Sequence, residues 1–184
     1  KASLHDSRER IRAMALVHEV MYETDHFDAI DFHVYLDKLL RMVMRVNHIA
    51  DVHLALSLEP VTLHIDQAIP CGLIANELLS NALKHAFDDD QHQREIRVEV
   101  RQQEDDVSLY VMDNGVGLPE TLPETHLGMT IIESLVTQLE GTLTLPTATR
   151  PNVASSLRCA FPICYRKNSR KSPFENLLKV RDCI

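Results

Sequence analysis

The apolar positions along the chain change period several times, and each change marks an element. From Ala2 to Glu23, Leu4, Ile11, Met14, Val17 and Met21 recur at helical spacing with Arg8, Glu9, Arg12 and Glu19 between them, which predicts an amphipathic helix with one apolar seam. A polar break at Thr24 to His26 leads to Phe32, Tyr35, Leu36, Leu39, Leu40, Val43 and Val46, again at helical period. Val52 to Leu58 and Val61 to Ile65 then alternate around Glu59-Pro60, predicting two short strands joined by a turn. Gln67 to Phe87 returns to a helical pattern, with Asp66 placed to act as its N-cap. Arg94 to Arg101 and Val107 to Met112 alternate around Glu104-Asp105-Asp106, a hairpin pattern that ends at Asp113-Asn114-Gly115. A polar loop containing Pro119 and Pro123 precedes a helix at about Leu127 to Leu139 that Gly141 stops. Two strands, Thr142 to Leu145 and Ser155 to Pro162, complete the pattern. The expectation is an α/β chain, a two-layer sandwich of a mixed sheet covered on one face by helices.

Composition narrows this picture without changing it. With 184 residues, 45% of them apolar and 25% charged, the chain has material for one sizeable core plus an appendage. The net charge of -8, with basic residues interspersed among acidic ones, argues against nucleic acid as a partner. Cys71, Cys159, Cys164 and Cys183 form no CxxC pair, which favours buried thiols in a reducing cytoplasm over a disulfide framework. No apolar run approaches the roughly 20 residues needed to span a bilayer. The segment after Ile163 holds six Lys or Arg against two acids, with Pro173 in its middle, and reads as a tail with no assigned function.

Three stretches carry candidate chemistry. In Asn76-Glu77-Leu78-Leu79-Ser80-Asn81-Ala82-Leu83-Lys84-His85, the residues Glu77, Asn81, Lys84 and His85 share one helical face. A solvated face gives the same spacing. An amide oxygen is nevertheless a suitable hard ligand for magnesium, a lysine answers phosphate charge, and a carboxylate one turn earlier can orient or deprotonate an attacking group. Asp113-Asn114-Gly115-Val116-Gly117-Leu118 places a carboxylate at a strand end, followed by glycines that admit a flat ligand close to the backbone; an ordinary strand-to-loop turn has the same composition. His126-Leu127-Gly128-Met129 opens a helix whose N-H groups and dipole favour phosphate.

Taken together, NELLSNALKH, DNGVGLP and LGMTIIESLVTQLEG stand in the order and approximate spacing of the N, G1 and G2 boxes. The chain resembles the histidine-kinase branch of the ATPase superfamily that includes DNA gyrase, heat-shock chaperones and mismatch-repair ATPases. The resemblance covers about Phe32 to Pro162 and implies a Bergerat-type ATP-binding fold. Upstream, Arg8-Glu9-Arg10-Ile11-Arg12-Ala13-Met14-Ala15-Leu16-Val17-His18-Glu19 is similar to the second dimerisation helix of the subgroup with a variant phosphoacceptor domain. In that subgroup the phosphorylated histidine lies on the preceding helix, so His18 is not expected to be the acceptor.

The resemblance implies residues 1–26 as the end of a helical dimerisation region, 27–163 as the ATP-binding catalytic domain, and 164–184 as the tail. It implies Mg-ATP as cofactor, Glu77 as the acidic residue assisting catalysis, Asn81 as the magnesium ligand, and Lys84 and His85 near the phosphates. Asp113 matches the acceptor of a hydrogen bond from the adenine amino group, with Gly115 and Gly117 shaping the pocket. Leu127 and Gly128 stand where the phosphate-covering lid returns to its helix, and Ser155 replaces a threonine beside the adenine. The implied reaction is transfer of the ATP γ-phosphate to a histidine outside this chain, and then to a response regulator or phosphotransfer partner. A homodimer through the N-terminal helices is implied, with Leu4, Ile11, Met14 and Met21 as the seam. The single G2 glycine, the short stretch between Leu118 and Gly128, and Ala154-Ser155 in place of Gly-Thr leave open a kinase-like scaffold without turnover that docks a response regulator or phosphotransfer partner; the resemblance also leaves an anti-sigma-type serine kinase, which uses the same ATP fold but lacks a helix like that of Arg8 to Glu19.

Other signals carry less. His53 and His64 are two of ten histidines with no metal-ligand spacing. GxxxxGK[ST], GxSxG and GxGxxG after a strand are all absent from the sequence.

Overall fold

A computed structural model of the chain describes residues 2–23, 29–46, 51–88, 90–104, 106–117, 127–144 and 159–164. The first helix, α1 (Ala2–Glu23), is followed by a short strand β1 (Ala29–Asp31) and helix α2 (Phe32–Val46), whose bounds match the predicted periodicity. Strands β2 (Val52–Leu58) and β3 (Thr62–His64) precede α3 (Ile65–His85); β4 (Arg94–Gln103), β5 (Asp106–Asp113), α4 (Leu127–Gln138) and β6 (Cys159–Cys164) complete the order. Among the described residues a mixed four-stranded sheet runs β2-β4-β5-β6, and β1 and β3 form a separate two-stranded one.

The β2 and β3 segments, expected as two short strands joined by a turn, form two strands that do not pair with each other. β2 pairs in parallel with β4, Leu54 opposite Ile96 and Leu56 opposite Val98, because α3 supplies the crossover that parallel neighbours require. At the end of β2 the Glu59 N-H donates to the Val100 carbonyl (3.1 Å), and Pro60, without an N-H, cannot extend the ladder. The chain turns away, and β3 pairs antiparallel with β1, Ile30 against Leu63, both buried. The hairpin of β4 and β5 forms as expected, Val98 opposite Val111. Its loop residue Glu104 has φ 54°, the left-handed conformation that tight hairpin turns use.

Alternation directs Ile96, Val98 and Val100 of β4, and Val107, Leu109 and Val111 of β5, into one core. Ile74, Leu78 and Leu79 of α3 meet them there with Leu36, Leu39 and Leu40 of α2 and Ile132 and Val136 of α4, giving the expected helix-on-sheet layering. Helix α1 rests on α2, α3 and β1. Its buried residues are Ala13 and Val17, whereas Ile11 and Met14 are 66% and 43% exposed. The expected apolar seam therefore divides between two faces of the helix.

Several boundaries differ from the expected ones for physical reasons. The N-cap of α3 is His64, whose Nδ1 accepts the Asp66 N-H at 3.3 Å; Asp66 sits in the first turn, where a carboxylate still favours the helix dipole. At the end of α4 the Gly141 N-H donates to the Val136 carbonyl (2.9 Å) and the Glu140 N-H to that of Thr137 (3.1 Å), a Schellman stop. The left-handed residue in it is Glu140, φ 52°, rather than Gly141. The strand expected at Thr142 to Leu145 is reduced, among the described residues, to a single bridge at Thr144; β6, Cys159–Cys164, continues past the expected end at Pro162, and the expected start at Ser155 lies outside the described residues.

Candidate functional site

The site is built on the middle of α3. Residues 70–80 are all buried, so the helix threads the core, and two of the polar groups it carries inside are Asn76, 1% exposed, and Glu77, 5% exposed. A buried carboxylate needs compensating charge. Arg10 of α1 supplies it: Nε stands 2.6 Å from Glu77 Oε1 and Nη2 2.8 Å from Oε2. Asn76 Nδ2 adds a longer donor to Oε1 at 3.4 Å, while its own Oδ1 is buried without a hydrogen-bond partner among the described residues.

The start of α4 closes against the same place. A Cβ added at Gly128 would lie 3.2 Å from Glu77 Oε2 and 3.7 and 3.8 Å from the amide oxygen and nitrogen of Asn81. Glycine there lets the first turn of α4 come to the side-chain tips of α3, and joins Glu77, Asn81 and Gly128 into one group. Leu127 beside it is 62% exposed. Lys84 and His85 are exposed in the last turn of α3, on the face that carries Asn81.

The second part lies at the end of β5. Asp113 is 5% exposed, and its Oδ1 accepts the Gly115 N-H at 2.9 Å. Burial raises its pKa, partly offset by that N-H. Gly115 lies against the end of α3, where an added Cβ would fall 1.9 Å from the Ala86 carbonyl oxygen, and the Val116 N-H donates to that oxygen at 2.7 Å. Thus the loop after Asp113 is fastened to the helix that carries Glu77 and Asn81. Gly117 continues it at φ 82°, a conformation that favours glycine. Ser155, His126 and residues 118–126 lie outside the described residues.

Two contributors are absent from the sequence-level candidate set. Arg10 reads in sequence as a solvated spacer; the available signal is that Arg10, Ala13 and Val17 fall on one stripe, the stripe that is buried. Asn114 is a clamp: its Oδ1 accepts the Glu95 N-H (2.8 Å), its Nδ2 donates to Gln93 O (2.9 Å), and Gln91 Nε2 donates to its backbone carbonyl (3.0 Å). It fixes the strand end from which Asp113 enters the core.

The raised pKa of Asp113 has a consequence for stability. As pH rises from the ordinary carboxylate range, the unfolded carboxyl ionises before the folded one, so stability falls through that window and the loss is complete above the folded pKa. Asp113→Asn keeps an oxygen for the Gly115 N-H and removes the buried charge. It is expected to melt a few degrees higher at neutral pH without nucleotide, with a smaller difference at pH 4; an equal or lower melting temperature at pH 7 would contradict a desolvated Asp113.

Comparison with known proteins adds to this geometry. Residues 67–164 match the family model described as "Histidine kinase-, DNA gyrase B-, and HSP90-like ATPase", and residues 1–47 match a second model described as "Histidine kinase". The chain is 28% identical over 152 residues to the sensor histidine kinase PdtaS of Mycolicibacterium smegmatis, covering 78% of this chain and 30% of that protein. It is 40% identical over 91 residues to the nitrate/nitrite sensor protein NarX of Escherichia coli, covering 49% of this chain and 14% of NarX. The chain therefore spans less than a third of the length of these relatives. Its fold is similar to the histidine kinase domain of a blue-light activated histidine kinase from Erythrobacter litoralis, with TM-score 0.75 at 23% identity over 86% of this chain and 74% of that one.

Proposed function

Since the chain belongs to the histidine kinase-, DNA gyrase B- and HSP90-like ATPases and is homologous to sensor histidine kinases, we propose that it binds Mg-ATP and directs the γ-phosphate to a histidine outside this chain. The observation that carries the reading is the convergence of Glu77, Asn81 and Gly128, with the buried Asp113 held on the same helix through Gly115 and Ala86. Asp113 accepts the adenine amino group, Gly115 and Gly117 admit the ring, and Lys84 and His85 face the phosphates. Gly128 and Leu127 receive the triphosphate at the N-terminus of α4, and Ser155 completes the adenine side.

The donors fit magnesium as nucleotide sites usually hold it, through one or two protein oxygens and the phosphates: Asn81 offers a half-buried amide oxygen, and glycine at 128 leaves it room. Magnesium held there would offset the charge that develops on the transferring phosphoryl group. Lys84 adds positive charge, and Glu77 orients the acceptor imidazole and takes its proton. The phosphate then passes to a response regulator or phosphotransfer partner. The match of residues 1–47 to a histidine kinase model favours histidine over serine as acceptor. The exposed Ile11 and Met14 on α1 suit pairing with helices of a homodimer. No helix among the described residues is long and apolar enough to cross a membrane.

A fluorescent ATP analogue tests this directly. Wild type is expected to bind it saturably and more tightly with magnesium, and Asp113→Asn to weaken binding in both conditions. Asn81→Ala is expected to remove the magnesium dependence; a magnesium titration identical to wild type would remove Asn81 as the ligand. Absence of binding by folded wild-type chain would leave the scaffold reading, in which the domain only docks a regulator.

A further inference from the structure

Both oxygens of Glu77 are occupied by a side chain from another element. Arg10 Nε and Nη2 grip them at 2.6 and 2.8 Å, and the two side chains are only 16% and 7% exposed. Fork-to-fork pairing of this kind uses the lone pairs that a carboxylate presents in its plane. The remaining approaches are narrow: Asn76 Nδ2 stands on the Oε1 side at 3.4 Å, and the backbone of Gly128 closes on Oε2, its added Cβ position 3.2 Å away. An incoming imidazole must therefore compete with the guanidinium, which already engages each Glu77 oxygen.

We infer that Arg10 is an inhibitory latch: helix α1 holds Glu77 closed, and the acceptor nitrogen gains access only when α1 withdraws the guanidinium. The inference rests on the proposed function for the role of Glu77, while the ion pair itself does not depend on it. Its position is set by the docking of α1. Arg10, Ala13 and Val17 lie on one stripe of the helix; Ala13 and Val17 are fully buried, and the Tyr35 hydroxyl donates to the Ala13 carbonyl at 3.2 Å. A rotation or slide of α1 that breaks this docking also removes Arg10 from Glu77. The exposed Ile11 and Met14 on the neighbouring face give a partner helix a place from which to bias it.

The latch is tested in the chain with water as phosphoryl acceptor, so that no acceptor histidine is needed. In that reaction the water oxygen bonds to the γ-phosphorus, the bond from phosphorus to the β,γ-bridging oxygen breaks with ADP leaving, and the water proton passes to Glu77. Arg10→Gln is expected to raise kcat for Mg-ATP hydrolysis roughly tenfold with KM nearly unchanged, Arg10→Lys less. In a Glu77→Gln background the Arg10→Gln change is expected to have no effect on kcat. Amide hydrogen exchange in α1 is expected to quicken in Arg10→Gln without nucleotide. A kcat that falls or stays the same, undetectable turnover in both included, would overturn the latch, and so would unchanged exchange in α1. Failure of wild type and Arg10→Gln alike to bind the ATP analogue would instead overturn the proposed function, leaving the exchange result to decide whether Arg10 fastens α1.

Discussion

Gly115→Ala is expected to lower affinity for the ATP analogue by roughly 100-fold, about 2.7 kcal/mol, while the far-ultraviolet spectrum stays close to wild type. The added methyl would be placed 1.9 Å from the Ala86 carbonyl oxygen and 2.6 Å from its carbon. Those atoms are backbone at the end of α3 and cannot swing aside as a side-chain tip does. Restoring ordinary contact requires the loop to move by more than an ångström, which breaks the 2.7 Å hydrogen bond from Val116 to Ala86. It also pulls the Gly115 N-H from Asp113 Oδ1, now 2.9 Å away. The buried carboxylate then loses a donor that favours its charged form, and its direction changes. Asp113→Asn separates the two effects: it alters the acceptor but preserves the loop, so it weakens binding while the fold gains stability. Wild-type affinity in Gly115→Ala would mean that the loop position is immaterial to the nucleotide and would remove the second half of the site.

The contrast between what the sequence reveals and what it hides follows from the range of the interactions. Helices α1 and α2 are legible to their ends because their apolar residues recur at helical spacing, three to seven positions apart in α1 and mostly three or four in α2. The β4–β5 hairpin is legible because both strands alternate and a polar run separates them. The partner of β2 is not legible: alternation says which face is buried and nothing about which neighbour supplies the hydrogen bonds. β1, three residues long, is too short to show any period. His64 escapes as a cap because histidine seldom serves there, whereas Asp66 is the residue type that usually does. At the site, the spacing of Glu77 and Asn81 on one helical face is visible in the chain, and their meeting with Gly128 is the result of packing α4 on α3. Arg10 is hidden most completely. A charged residue within an amphipathic helix is ordinarily solvated, and only the folded contact between residues 67 positions apart turns it into the partner of Glu77.

Gly72→Ala tests what holds that contact in place. In an exposed helix the change would favour folding by about 1 kcal/mol. Here the methyl would lie 2.2 Å from the Tyr35 hydroxyl oxygen and 2.5 and 2.7 Å from ring carbons Cε1 and Cζ. Tyr35 is fully buried beneath α1, and burial raises its pKa, so the hydroxyl stays protonated and donates to Ala13. Displacing the ring costs about 1–3 kcal/mol in overpacking and about 1 kcal/mol for the hydrogen bond, more than the gain in propensity. The variant is expected to melt roughly 5 °C lower, with faster exchange of the α1 amides. Adding Tyr35→Phe removes the shortest clash and leaves the two at the ring carbons, so the double variant should recover part of the loss. A Gly72→Ala chain as stable as wild type would show that Tyr35 does not wedge α1 against α3. A destabilised one with unchanged α1 exchange would place the strain within α2 and α3 alone. If α1 loosens as expected, Gly72, Tyr35 and Ala13 form the mechanical support of the Arg10–Glu77 pair, and their packing sets how tightly α1 closes the site.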